Sequence, residues 1–171
     1  MPLKPVQVSQ EELVSRVRYE DGNLYWLKSG KKAGCYKRGD GYGCIRVNKK
    51  LILLHRAIWI YHNGEIPEGM DIDHVDGSRT NNRIENIRLA SRSQNLMNKG
   101  ARRDNKAGVK HVRWNEPTKS WRVKMNIGGK HLHLGLFKTL EEATAVACAA
   151  REKYHGAFAN HGQTMGGSHS Y

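Results

Sequence analysis

Apolar and polar positions along this chain follow two periods, near 3.6 and 2, and the switches between them outline its elements. Ser9-Gln-Glu-Glu12 has the form of a capping box and predicts a helix over residues 10–19. Asp21-Gly22 predicts a turn. Short strands are predicted around residues 24–27 and 42–47, split by a loop rich in Lys and Gly. Residues 51–61 are apolar with His55 and Arg56 embedded, and predict a helix ending at Asn63-Gly64. Pro67-Glu68-Gly69 turns the chain into a strand over 70–75. Residues 76–85 are polar and loop-like, 87–89 form a second short strand, and Ser91-x-x-Gln94 caps a helix carrying Asn95 and Asn98.

The pattern changes after residue 98. Residues 99–107 are basic and small, without apolar periodicity, and read as a linker. Residues 120–127 then alternate strictly, with Trp121, Val123, Met125 and Ile127 on one face and Arg122, Lys124 and Asn126 on the other. Gly128-Gly129 is a two-residue hairpin turn. Residues 131–136 alternate again, placing Leu132, Leu134 and Leu136 together and His131 and His133 opposite. Thr139-x-x-Glu142 caps a helix whose inward residues are Ala143, Val146, Ala147, Ala150 and Tyr154, and Gly156 ends it. The Gly/Ser/His-rich residues 161–171 predict a disordered tail.

Charge narrows the choice of partner. The 171 residues carry 29 Lys/Arg against 16 Asp/Glu, a formal net charge of +13. The excess lies in both parts, 17 against 11 in residues 1–100 and 12 against 5 in residues 101–171. Such a surplus points to a polyanion, because each neutralised phosphate releases counterions. Cys35, Cys44 and Cys148 form no C-x-x-C pair and none lies at zinc-finger spacing from a histidine, so they read as reduced thiols. No apolar run approaches the ~20 residues of a membrane span, and Met1-Pro-Leu-Lys-Pro lacks the apolar stretch of a signal peptide. The expected site of action is the cytoplasm, that of a bacterial host if the chain is phage-encoded.

The chemistry concentrates in Asp71-Ile-Asp-His-Val-Asp-Gly-Ser-Arg-Thr-Asn-Asn-Arg-Ile-Glu-Asn-Ile-Arg-Leu and Ser91-Arg-Ser-Gln-Asn95. Hydrolysis of a phosphodiester needs a base to activate water, a cation to stabilise charge, and a group that orients the base. Asp73 and His74 are neighbours on one strand, and Asn95 lies on a downstream helix. Carboxylate and amide oxygens suit a hard ion better than Zn²⁺. Asn81, Asn82 and Asn86 also read as ordinary turn residues, and Asp76 as a turn-former before Gly77. The whole ordered string, over residues 54–99, resembles the HNH endonuclease family in the subgroup of phage and intron homing endonucleases. That resemblance implies a ββα-metal core over about residues 70–98, with Asp73 and Asn95 as metal ligands, His74 as general base and Asn86 bracing the loop that orients it. Many members have His at the first and last of these positions; this chain has Asp73, Asn95 and then Lys99, which favours Mg²⁺, with Mn²⁺ as substitute. The family often has His-Arg where His55 and Arg56 stand, so Arg56 is a candidate phosphate contact, equally readable as a snorkelling arginine.

Residues 108–160 resemble the AP2 domain through Gly108-Val109, Val112-x-Trp114, Trp121-Arg122-Val123, His133-Leu-Gly-x-Phe137, Thr139-x-Glu-Glu-Ala143, Ala147 and Tyr154-x-Gly-x-Phe158-Ala159. That resemblance implies a three-stranded antiparallel sheet on one helix, laid in the major groove. Between Ala101 and Thr139 there are 10 Lys/Arg and two acids, Asp104 and Glu116. A face presenting Arg113, Arg122, Lys124 and Lys130 suits phosphates, and arginine also pairs with guanine edges. Trp121 falls on the apolar side and Trp114 shares the parity of Val112, so both read as core or as base contacts. His131 and His133 allow metal binding, DNA contact or plain exposure.

The expected fold is α+β: an HNH domain over residues 1–98, a linker over 99–107, and an AP2-like domain over 108–160. The expected function is a divalent-metal-dependent DNA endonuclease that nicks one strand of duplex DNA as a monomer, without a small-molecule cofactor or membrane partner. The competing expectation is a non-catalytic DNA-binding protein with a decayed core. An RNA-binding accessory protein is a third, and lacks the paired aromatic signature.

Overall fold

A computed structural model of the chain describes residues 8–36, 39–101 and 104–161. The tail beyond His161 and the first seven residues lie outside the described residues, as do Arg102 and Arg103 in the expected linker. The fold is α+β, built from short antiparallel sheets and four α-helices among the described residues. It divides into two units at Ser93 and Gln94.

The first unit opens with helix α1 (Gln10–Val14), closed by the expected capping box between Ser9 and Glu12. The helix is shorter than its pattern suggested. Residues 17–20 pair instead as β1 (Val17–Glu20) with β2 (Asn23–Trp26) across Asp21-Gly22. Both turn residues have positive φ, 45° and 79°, the backbone of a tight hairpin turn. A short β3 (Lys32–Ala33) extends this sheet. A second hairpin joins β4 (Cys44–Val47) to β5 (Lys50–Leu53) through Asn48 and Lys49, so residues 51–53 belong to a strand and α2 starts later than expected. Helix α2 (Leu54–Asn63) stops at Gly64 and buries Leu54, His55, Ala57, Ile58 and Ile60. Its apolar face joins Leu13, Val17, Leu24, Ile45, Val47, Ile72 and Ile87 in one core. Each fully buried aliphatic side chain there contributes about 1.5–3 kcal/mol. Strands β6 (Met70–His74) and β7 (Ile87–Ser91) form the third hairpin; helix α3 (Arg92–Asn98) follows in sequence, and from Gln94 on it belongs to the second unit.

The second unit has a three-stranded sheet in the order β10-β9-β8 and one long helix. These are β8 (Val112–Asn115), β9 (Ser120–Ile127), β10 (Lys130–Phe137) and α4 (Leu140–His155). Strand β9 alternates as expected, with Val123 and Met125 buried and Arg122, Lys124 and Asn126 exposed. Gly128 and Gly129 both have positive φ and form the tight β9–β10 turn. In β10 the simple alternation fails. Its register slips between His133, opposite Lys124, and Gly135, opposite Val123, so Leu134 is an extra residue and a bulge. Beyond it Leu136 faces solvent opposite Arg122, and Phe137 faces inward opposite Trp121. Gly135 has φ 136°, and a Cβ there would lie 2.9 Å from the Phe137 ring. Leu132, Leu134 and Leu136 therefore do not share a face.

Helix α4 carries the expected capping box, Thr139 with Glu142, and ends at Gly156. Its buried stripe is Ala143, Ala147, Ala150, Arg151 and His155, whereas Tyr154 is exposed. The stripe turns polar because Arg151 has internal partners: it donates to the Lys110 carbonyl at 2.6 Å, to Cys148 Sγ at 3.0 Å and to His161 Nδ1 at 3.4 Å. Lys110 in turn reaches the end of α3, its ammonium donating to the carbonyls of Met97 and Lys99. Asn160 donates to the Asn98 carbonyl at 2.6 Å. The last turn of a helix leaves its carbonyls without helical partners, and these three contacts supply them.

Candidate active site

The β6–β7 ladder sets the geometry of the expected catalytic residues. Asp73 pairs across it with Arg88, and His74 with Ile87. Opposite charges directly across a ladder are within reach of each other. Arg88 donates to Asp73 Oδ2 from Nε at 3.2 Å and Nη2 at 3.1 Å. Asp73 and His74 are both buried, 8% and 4% exposed, so the carboxylate has a cationic partner instead of bulk water.

His74 sits in a small polar nest. Its Nε2 lies 2.9 Å from Asn82 Oδ1. Asn82 is 2% exposed and donates from Nδ2 to the Tyr36 hydroxyl at 3.0 Å. Burial, countered in part by that bond, pushes the Tyr36 phenol up and keeps it protonated. His55 from α2 stands edge-on to His74, with ring centres 5.0 Å apart, and Tyr42 lies 5.1 Å from His55. The Arg79 guanidinium lies over the Tyr42 ring, 4.9 Å from its centre. Burial, with the nearby His74 and Arg56, pushes His55 down to about 3.

The loop between β6 and β7 is braced from within. The Asn86 amide accepts from the Asp76 N–H at 3.1 Å and donates to Asp76 Oδ1 at 2.9 Å and to the Asn81 carbonyl at 2.8 Å. Asp76 also accepts from the Ser78 N–H and from Asn81 Nδ2. Burial opposes its charge, but these donors outweigh it and hold the carboxyl below its usual range. The loop is anchored outside as well: Arg83 pairs with Asp21 at 2.8 Å, and the Ile84 N–H donates to the Tyr19 hydroxyl at 3.0 Å.

Of the other expected site residues, Arg56 is half-buried on α2, 3.8 Å from Asp71. Asn95 is half-buried on α3. Arg113, Arg122, Lys124 and Lys130 are exposed on the sheet of the second unit, with Arg113 directly opposite Arg122 and 3.9 Å from Asp104. Trp114 is exposed and meets half-buried Trp121 edge-on at 5.1 Å. Sequence reasoning did not single out Arg88 or Tyr36, and read Asn82 as a turn residue. Arg88 carried a signal, because pairing the two short strands places it opposite Asp73. Among the described residues no three His, Cys, Asp or Glu side chains converge as a closed metal cage. One carboxylate and one amide are donors suited to a hard cation that keeps most of its waters.

A model of the HNH endonuclease family matches residues 53–97, from the end of β5 into α3. Protein 3.8 of Escherichia phage T7 is 34% identical over 105 residues, 61% of this chain and 86% of its own length. DNA endonuclease I-HmuI of Bacillus phage SP01 is 33% identical over 85 residues, 47% of this chain and 49% of its own. The solved structure described as DNA binding and cleavage by the HNH homing endonuclease I-HmuI has a TM-score of 0.43 at 30% identity, covering 48% of this chain and 51% of that one. The chain thus spans most of protein 3.8 and about half of I-HmuI. Residues 53–97, which hold Asp73, His74, Asn86 and Asn95, therefore form an HNH endonuclease domain.

Proposed function

We propose that this chain is a divalent-metal-dependent DNA endonuclease with His74 as its general base. The observation that carries the reading is the buried imidazole of His74, held by an amide beside a buried Asp73, inside the segment that matches the HNH family. A neutral imidazole accepts a proton from water near physiological pH. Asp73 and Asn95 are the residues that would hold the ion, Mg²⁺ by the hardness of their oxygens. When bound, the ion stabilises negative charge on the scissile phosphate and the leaving oxygen. Asn86 keeps the loop after His74 in one conformation through its three bonds. Arg88 orients the Asp73 carboxylate on its strand through two hydrogen bonds.

The second unit serves as the grip on duplex DNA, as an AP2-like module. Arg113 directly opposite Arg122 is a like-charge pair, which destabilises a sheet alone and is relieved by a polyanion. Lys124 extends the same basic face, whereas Lys130, expected on it, pairs with Ile127 at the β9–β10 turn and so stands on the other side of the sheet. One centre hydrolyses one bond at a time, so a single chain nicks. The relatives being phage proteins fits a homing or related phage role.

The test is cleavage of supercoiled plasmid with Mg²⁺, Mn²⁺ or excess EDTA. Nicked circles with either ion, none with EDTA, and a loss of about 10²–10⁴-fold in His74→Ala are expected. Cleavage in excess EDTA refutes metal dependence, and wild-type rates in His74→Ala refute the base. DNA binding without cleavage under any ion favours a non-catalytic binding protein.

A further inference from the structure

We propose that Asn82 is a positioning residue that fixes the tautomer of His74, with Tyr36 holding Asn82 in turn. The inference rests on the reading of His74 as the base. An amide oxygen accepts hydrogen bonds and cannot donate them. With Asn82 Oδ1 at 2.9 Å from His74 Nε2, the proton of a neutral imidazole therefore sits on Nε2. Its basic lone pair is then on Nδ1, the atom that would take the proton from water. With the proton on Nδ1 instead, two lone pairs would face each other across 2.9 Å, and a buried amide oxygen would lose its donor.

The surroundings hold this arrangement. Asn82 is 2% exposed, so water does not substitute for its partners. Its Nδ2 donates to the Tyr36 hydroxyl, so both ends of the amide have partners. The Tyr36 ring lies over Gly43, where a Cβ would come within 2.8 Å of it, so the ring occupies space that only glycine leaves open. The neighbouring residues of the loop are tied to the β1–β2 hairpin through Arg83 with Asp21 and Ile84 with Tyr19. Two adjacent asparagines thus divide the work: Asn81 braces Asp76, and Asn82 turns inward to the base.

The test uses the full-length chain. Two-bond ¹H–¹⁵N correlation spectra of the imidazole at pH 8, assigned with His74→Ala, read the tautomer without any catalysis. Wild type should show a protonated Nε2. Asn82→Leu removes the acceptor and should lose that signature, with single-turnover nicking at saturating DNA slowed about 10–100-fold and DNA affinity within about twofold. Asn82→Asp retains an oxygen acceptor and should restore both the tautomer and most of the rate. Tyr36→Phe should give an intermediate loss. An Nδ1-protonated His74 in wild type overturns the proposal whether or not Asn82→Leu folds. So does a wild-type tautomer and rate in Asn82→Leu. Wild-type cleavage by His74→Ala would instead refute the parent reading, and with it any catalytic role for Asn82, even where the Nε2 tautomer is found.

Discussion

Acid should weaken the first unit through one residue, His55. It is 5% exposed on α2, in ring contact with Tyr42 and His74, and burial, with His74 and Arg56 nearby, pushes its pKa from 6.5 to about 3. The unfolded chain protonates His55 near its ordinary value, while the folded chain does not. Between those two pH values the unfolded state binds more protons, so stability rises with pH there. The contribution is fully present above about pH 6.5 and is lost as pH falls toward 3. At about 1.4 kcal/mol per pH unit, lowering the pH from 7 to 4.5 should remove about 2–3 kcal/mol through this group alone. That is a large share of the ~5–15 kcal/mol typical of a domain. Urea unfolding with EDTA present, followed by NMR at the amides of Ala57 and Ile58, reports on this unit alone. His55→Phe keeps a ring in the same space and cannot titrate. Its loss between pH 7 and 4.5 should be smaller than that of wild type by the same 2–3 kcal/mol, since the carboxylates titrate equally in both. Identical pH dependence in the two proteins would refute a neutral, buried His55.

Arg88→Gln leaves the Asp73 carboxylate buried beside a neutral partner, and should cost about 1–3 kcal/mol in urea unfolding, less than a wholly buried pair because Arg88 is partly exposed; an unchanged midpoint would show that the pair contributes nothing. Gly135→Ala meets both a positive φ and the Phe137 ring, so thermal unfolding of the second unit should show a loss of about 1–3 kcal/mol. Arg122→Ala and Lys124→Ala should each weaken DNA binding and reduce the slope of log affinity against log salt by about 0.9, with single-turnover nicking unchanged; equal slopes for wild type and variants would remove these residues from the phosphate contacts.

The parts of this molecule that were readable in advance are those written in local sequence. The capping boxes at Ser9 and Thr139, the Gly64 and Gly156 stops and the Gly128-Gly129 turn depend on residues a few positions apart, and each forms as expected. The misjudged segments are those where partners far along the chain decide. Residues 17–20 suit a helix as well as a strand, and pairing with β2 settles the matter. Residues 51–53 are absorbed by β4 in the same way. The bulge at Leu134 adds one residue to a perfect alternation, and only the ladder with β9 shows where the parity changes. At the candidate site, Asp73 and His74 stand out as neighbours. Asn82 does not stand out from Asn81, because what separates them is a tyrosine 46 positions earlier.

The contacts at the end of α3 bear on how such a chain can be recombined. The carbonyls of Met97, Asn98 and Lys99 take their donors from Lys110 and Asn160, 11 to 62 positions downstream. A seam cut at residue 99, where composition alone suggests a linker, would strip the helix carrying Asn95 of its terminal hydrogen bonds. Exchange of the second unit between relatives therefore has its natural joint before α3, with the helix travelling alongside the sheet. A graft made at the later joint would need its own lysine and asparagine in matching places.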